Sequence, residues 1–198
     1  MEQFNVKSLL FPATKGLVAF AFASVLASVM ILKYDNYFAA AILTGGLGAL
    51  LLSFLTFTNK LIFWKMALAG SIGMPVGLLL SFLFVGGIGE LVPTVGNFFE
   101  NTPVPDIVAV VMMSSIYGMF VGGINFGKRS IGRFAIICGL MSVPAGLLVS
   151  VFNADGLQVV TNLFGEVDLN FVTIMLFIGL GIGVAIGSSQ RFRHFGAS

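Results

Sequence analysis

Charged residues are scarce in this chain. Asp, Glu, Lys and Arg make up 9% of its 198 residues, whereas soluble domains carry about 25%. Hydrophobic residues make up 58%, which is more apolar surface than a soluble fold of this length can bury. The composition therefore excludes a soluble globular protein and predicts a membrane protein. The net charge of +2 and the dispersed bases also argue against nucleic-acid binding.

Residues that carry catalysis or hold metals are few as well. The chain has one cysteine, Cys138, and one histidine, His194. A zinc site takes about four ligands and a catalytic nucleophile takes a nearby base, so neither is expected. Residues 122–130 resemble a phosphate-binding loop but carry Arg129 where that motif requires Ser or Thr. We expect no enzymatic activity, no cofactor and no metal.

The chain does contain six long apolar runs, each near the roughly 20 residues with which a helix crosses a bilayer. Helices are expected there because backbone groups find no water in the hydrocarbon region. We predict an all-α polytopic membrane protein with transmembrane helices over residues 16–32, 37–57, 62–86, 107–126, 131–152 and 171–188. The chain divides into an N-terminal cytoplasmic or interfacial segment (1–15), one transmembrane domain (16–188) and a basic cytoplasmic tail (189–198). Residues 2–11 are expected to form a short interfacial turn before Pro12 or a frayed tail.

Basic residues gather on one side of the predicted spans. Nine of the ten Lys and Arg residues precede the first span, follow the last one, or lie after the second and fourth. The other side holds Lys33 and most of the acidic residues, among them Asp35, Asp106 and Asp168. Because Lys and Arg are retained in the cytoplasm, we predict a multi-pass protein of the plasma (inner) membrane with both termini cytoplasmic.

Small residues recur at four-residue spacing in every predicted span. That spacing places them on one face of a helix, where a neighbouring backbone can approach closely. For the glycine-rich run at 179–187, helix packing is favoured over an unwound, ion-coordinating segment. The residues predicted to pack helices in this way are Ala23, Gly45, Gly73, Gly77, Gly118, Gly122, Gly146, Gly179, Gly183 and Gly187.

A shift of 69 positions matches part of the chain to itself. The pattern Gly-x4-Pro-x-Gly-Leu-Leu-x-Ser occurs at 70–81 and again at 139–150. It predicts a parallel internal repeat of helical hairpins, with units near 16–57, 62–126 and 131–188. Pro75 and Pro144 are predicted to kink the third and fifth spans. The kinks either splay these helices around a cavity or bend them without one.

Charged residues are missing from the middle of every predicted span, so the usual residues of proton relays and ion paths are absent there. The neutral polar residues that remain have two interpretations. They form hydrogen bonds between helices, or some of them line a binding site for a small solute. The candidates for such a site are Ser71, Ser114, Ser115, Tyr117 and Asn125.

Two functional hypotheses follow. The first is a non-enzymatic subunit of a larger membrane assembly, with a scaffolding role within, for example, a transport complex. Its leftover small-residue faces would bind other membrane-protein chains in a hetero- or homo-oligomer. The second is a facilitator or substrate-capture subunit for a small, weakly polar solute. A cavity lined by the polar candidates would favour the second, and glycine faces turned to lipid would favour the first. Both hypotheses predict that the protein is embedded in the lipid bilayer and that it binds no nucleic acid.

Overall fold

Six helices that are long and apolar enough to cross a membrane form the body of the protein. The computed structural model describes residues 7–100, 102–155, 159–162 and 165–195. The helices are α1 (Lys7–Tyr34), α2 (Tyr37–Thr56), α3 (Lys60–Leu91), the short α4 (Pro93–Glu100), α5 (Val104–Phe126), α6 (Ile131–Asp155) and α7 (Leu169–Phe195). Each predicted span corresponds to one long helix, so the prediction of six helices long and apolar enough to span a membrane is confirmed.

Polar residues at the helix termini explain where several helices begin and end. The side-chain oxygen of Asn36 accepts a hydrogen bond from the backbone N–H of Ala39 (2.8 Å), which caps the start of α2. Asn59 caps α3 in the same way through the N–H of Leu61 (2.9 Å). Gly127 follows the last residue of α5, and its φ of 85° lies in the left-handed region that glycine tolerates. A single 3-10 turn, Lys128–Ser130, then leads into α6.

The six long helices form a closed ring. Each packs against the long helix before it and the one after it in the chain, and α7 closes the ring by packing against α1. Consecutive long helices run in opposite directions, so neighbouring helices are antiparallel around the whole ring. The connections at the end where α2 joins α3 and α5 joins α6 are short. Side chains fill the middle of this ring, and the edge-to-face pair of Phe20 and Tyr117, with ring centroids 5.9 Å apart, lies at its centre.

Glycines lie where two helix backbones approach most closely. Gly45 of α2 and Gly70 of α3 face each other, and a Cβ on either one would collide with the backbone carbonyl of the other. Gly16 of α1 and Gly179 of α7 form a second pair of this kind. Close backbone approach increases dispersion contact between helices, which is what holds helices together in lipid.

The remaining residues predicted to pack helices also lie at helix contacts. Gly73 and Gly77 of α3 face α5, and Gly183 of α7 faces Pro12 and the following residue of α1. Side chains and backbone of neighbouring helices would also meet a Cβ at the predicted positions Gly118, Gly122 and Gly146, all at the contact between α5 and α6. Ala23 and Gly187 are buried as well.

The connections at the end that carries most of the acids differ from one another. The mixture of apolar and polar residues around 87–106 and 153–170 predicts a short amphipathic helix in each connection. The first connection contains such a helix, α4. The second contains an antiparallel pair of strands instead, β1 (Val159–Asn162) and β2 (Gly165–Asp168), because β-branched residues favour the extended backbone over a helix. The helical bundle therefore carries a small two-stranded element at this end.

The chain termini depart from the predicted boundaries. α1 begins at Lys7 and continues through Pro12, so most of the segment 1–15 belongs to the first helix. α7 continues to Phe195 and takes in most of the predicted tail 189–198. Residues 1–6 and 196–198 lie outside the described residues, as do the side chains of Arg191, Arg193 and His194.

The two prolines of the predicted repeat occupy different environments. Both lie inside continuous helices, Pro75 in α3 and Pro144 in α6. Pro75 is buried, whereas Pro144 is exposed on the surface of the bundle. The equivalent glycines differ too, since Gly77 faces α5 as its hairpin partner while Gly146 faces Ile107 on the preceding hairpin. The internal repeat and the two kinks stay predictions.

Candidate functional site

A cavity lies at one end of the ring. This end, where α1 joins α2 and where α5 and α7 begin, carries Asp35, Asp106 and Asp168, and we call it the acidic end. The opposite end, which carries most of the described Lys and Arg residues, is the basic end. The cavity has a volume of about 580 Å³, and residues from all six long helices or their ends line it. That volume is within the range of pockets that bind small molecules.

Apolar side chains form the walls of the cavity. Leu78 and Phe82 come from α3, Met113 from α5, and Ile174 and Met175 from α7. α1 and α2 add Ile31, Leu32 and Ala41. All of these residues except Phe82 are buried or half-buried, so the apolar faces that pack the core also produce most of the walls.

Polar side chains form a rim around the opening of the cavity. The rim consists of Asp35, Tyr37, Asn153, Asp168 and Asn170. The side-chain nitrogen of Asn170 donates a hydrogen bond to the side-chain oxygen of Asn153 (2.7 Å), which ties the start of α7 to the end of α6. Asn153 also bonds the side chain of Asp106 on α5. The side-chain oxygen of Asn170 is buried and finds no partner among the described residues.

Asp168 has a structural role and also lines the cavity. Its Oδ1 accepts a hydrogen bond from the backbone N–H of Phe171 (2.9 Å), which caps the start of α7. The residue is only 8% exposed. Burial raises the pKa of the Asp168 carboxyl above its ordinary value, although bonds from the backbone N–H groups of Phe171 and Asn170 oppose that change. A cationic ligand beside this carboxyl would favour its ionised form.

A layer of buried residues closes the cavity toward the basic end. One helical turn below the lining residues of α2, α3, α5 and α7 lie Gly45, Met74, Tyr117 and Ile178, and all four are buried. We call these four residues the floor. The hydroxyl of Tyr117 donates a hydrogen bond to the carbonyl of Gly45 (3.2 Å), which links α5 to α2 across the ring. The cavity therefore opens only toward the acidic half of the described bundle.

A groove between α2 and α3 continues the cavity to the outer surface of the ring. It has a volume of about 300 Å³ and shares Asp35, Tyr37, Leu78 and Phe82 with the cavity. α2 and α3 meet at Gly45 and Met74, and one turn nearer the acidic end Ala41 and Leu78 line the cavity instead. Phe82 is 64% exposed at this groove. The cavity is thus reachable from the side of the bundle that would face lipid.

The polar residues predicted as a solute site do not gather around a cavity. Ser71 faces Gly46 of α2, and Ser115 faces Gly139 of α6. The side-chain nitrogen of Asn125 donates to the carbonyl of Val121 on its own helix (3.0 Å). The hydroxyl of Ser114 is buried without a hydrogen-bond partner among the described residues. Tyr117 alone adjoins the cavity, as part of its floor.

Of the residues that form the rim, only Asp35 and Asp168 were noted in the sequence, as acids on one side of the predicted spans. Asp35 and Asp168 lie far apart in the chain, and they meet because α7 closes the ring against α1. The available signal was their position, since both immediately precede or follow a predicted span on the acidic side. Without the order of helices in the ring, that signal does not select these two acids over Glu90 or Asp106.

Among the described residues, groups of three or more His, Cys, Asp or Glu side chains suited to a metal ion are absent. Cys138 is buried in α6 beside Gly118 of α5 and Gly181 of α7. Its small side chain permits the close contact of these helices, in keeping with a packing role.

Comparison with protein-family models, with curated proteins and with solved structures finds no match to this chain.

Proposed function

We propose that the protein is a non-enzymatic membrane protein that binds a small solute in the cavity at its acidic end. The observation that supports this most is the cavity itself, which lies on the axis of the ring with apolar walls and a polar rim. Binding sites for small molecules commonly have this composition, because the walls provide affinity and a few polar groups fix orientation. Of the two hypotheses drawn from the sequence, this is the facilitator or substrate-capture one, with different residues at the site.

The floor supports capture rather than an open pore. Met74 and Tyr117 are fully buried and lie between the cavity and the basic end. At the basic end the rings of Phe57, Phe126 and Phe134 follow one another, with centroids 6.2 and 5.0 Å apart. Passage of a solute would require these side chains to move apart. We therefore propose that the protein takes up its solute at the acidic end and releases it only after a rearrangement, either of its own or in a larger complex.

The sidedness of uptake follows from the positive-inside rule. The basic end carries Lys60, Lys65, Lys128 and Arg129. We propose that this end faces the cytoplasm of a cell with a plasma (inner) membrane, with both termini on that side. The cavity would then open away from the cytoplasm.

Filling the cavity tests this proposal. Ala41 lines the cavity and is almost fully buried, so the substitution Ala41→Phe places a ring in the space where a solute would bind. Ile42→Phe, on the exposed face of the same helix, is the matched control. Native mass spectrometry of protein purified in mild detergent should find a small molecule retained by the wild type and by Ile42→Phe and lost from Ala41→Phe. Identical small-molecule content in all three proteins would contradict the proposal.

Membership of a larger assembly is the second candidate function. The small-residue faces that motivated it now lie at contacts inside the chain, which weakens the original argument. The observation that still favours it is the acidic-end part of α3, where a Cβ added to Gly86 or Gly87 would meet nothing within 4 Å among the described residues. A helix of another chain could approach closely there. Polypeptides that co-migrate with the protein in mild detergent would support this second function.

A further inference from the structure

The cavity geometry points to a particular ligand class: a small organic cation in which an ammonium group is attached to an apolar body. This inference rests on the proposed function, since it names the solute of the same cavity. We infer that the ammonium group binds at the rim between Asp35 and Asp168, and that the apolar body occupies the space between α3, α5 and α7.

The charge of the rim favours a cation. Two carboxylates, Asp35 and Asp168, line the cavity, and the described lining residues include no Lys or Arg. Lys33, two residues before Asp35 in the sequence, is exposed and lies over the ring of Tyr34 with 5.6 Å between its Nζ and the ring centroid. Asp106 adds a third acid behind the rim through its bond to Asn153. Asp168 is largely buried, so solvent screens its charge less than it screens that of an exposed carboxylate.

The hydrogen-bonding groups of the rim favour a donor. The carboxylates accept hydrogen bonds, and the buried side-chain oxygen of Asn170 is an acceptor without a partner among the described residues. An ammonium group offers donors only, so it complements this set. The rings of Tyr37, Phe82 and Phe171 also line the cavity, and the faces of aromatic rings attract cations.

The walls and the groove favour an apolar body on that cation. A bare inorganic cation requires several oxygen ligands, whereas this cavity is lined mainly by Ile, Leu, Met and Phe side chains. Apolar surface that a ligand buries against such walls contributes favourably to binding. The groove between α2 and α3 gives an amphiphilic molecule a path from the lipid to the cavity. An organic cation complements both parts of the cavity, because its apolar body packs against the walls and its ammonium group binds the carboxylates of the rim.

Three probes of one shape and different charge test the inference. Adamantylamine is a cation at neutral pH, adamantanol is neutral, and adamantane carboxylate is an anion. Binding to the purified protein in detergent is measured by equilibrium dialysis. We expect the amine to bind about tenfold more tightly than the alcohol, and the carboxylate to bind most weakly.

Two substitutions remove the charge of the rim and preserve its shape. Asp35→Asn is compatible with the backbone at that position, because the φ of Asp35 is 49°, in the left-handed region that asparagine tolerates. Asp168→Asn retains the side-chain oxygen that caps α7. The double variant should bind the amine and the alcohol within about twofold of each other. Glu90→Gln, at the acidic end but outside the cavity lining, is the control and should keep the wild-type preference. If the double variant does not fold, Asp35→Asn alone should still reduce the preference, since Asp35 lies in an exposed connection.

The outcomes separate this inference from the proposed function. Equal binding of all three probes to the wild type, weakened for all by Ala41→Phe, would overturn the cation inference and leave the cavity as a binding site. A preference for the amine that persists unchanged in the double variant would also overturn it. Probe binding that Ala41→Phe does not weaken, or no binding of any probe, would contradict the cavity site itself and with it the proposed function.

Discussion

At the scale of single residues, the space around each helical glycine decides whether a larger residue is tolerated there. A Cβ atom added at some of these glycines would collide with a neighbouring helix, and at others it would meet nothing. Gly45 and Gly70 each face a backbone carbonyl of the other helix, and a carbonyl within a helix cannot move away as the end of a flexible side chain can. Gly86 lies in the same helix as Gly70 and has open space around it. The amino-acid type is the same, but only one of the two positions requires it.

A pair of matched substitutions measures this difference. Gly70→Ala should destabilise the protein by about 1–3 kcal/mol, because the added methyl group forces α2 and α3 apart. Gly86→Ala should be neutral or stabilising by up to about 1 kcal/mol, since alanine has the higher helix propensity. Thermal unfolding in detergent compares the two variants with the wild type. Equal loss of stability in both would show that close backbone approach does not hold α2 to α3.

At the scale of helices and strands, polar residues beside the apolar runs determine where elements begin. Asp168 is the clearest case, because one residue caps α7 and also contributes a carboxylate to the rim of the cavity. A cap of this kind fixes the position of the first turn of the helix. The cavity lining depends on that position, since the rim residue Asn170 and the lining residue Phe171 belong to the same turn.

Removing this cap should loosen the start of α7. Asp168→Ala should lower the free energy of unfolding by about 1 kcal/mol, because the N–H of Phe171 loses its acceptor. Asp168→Asn keeps an acceptor in the same place and should cost less. Hydrogen exchange at the amide of Phe171 provides a local measurement, and it should become faster in the alanine variant only. Unchanged exchange in Asp168→Ala would contradict the capping role.

Comparison of the predicted and observed helices and strands shows which of them could be predicted from the sequence. Apolar length alone predicted six long helices, because a bilayer allows few other structures for such segments. It did not predict β1 and β2, since a mixture of apolar and polar residues outside the bilayer fits a strand or a helix. The β-branched residues Val159, Val160, Thr161 and Val167 were the available signal. The predicted helix boundaries were too short where a helix continues beyond its predicted span, as α3 does up to Leu91.

At the scale of the whole molecule, the closed ring of helices determines where a site can be. Small residues at four-residue spacing indicate which faces pack, but they do not indicate which helix packs against which. The order of the ring decides that Asp35 and Asp168 share one rim and that Ser71, Ser115 and Asn125 remain apart. For this reason the sequence indicates which helix faces carry small residues, but it does not indicate where the cavity lies.

Access of water-soluble molecules to the cavity can be measured directly, and solute binding there depends on it. In a Cys138→Ala background, Ile174→Cys places a thiol on the cavity wall, and Leu140→Cys places one on the exposed outer surface of α6, which would face lipid. The protein is reconstituted in lipid nanodiscs and treated with a small hydrophilic methanethiosulfonate reagent. We predict that the thiol at position 174 is modified and that the one at position 140 is not, because a thiolate forms only where water is present. If the thiol at position 174 is as unreactive as the one at position 140, the cavity is closed to solutes and the proposed binding site is wrong.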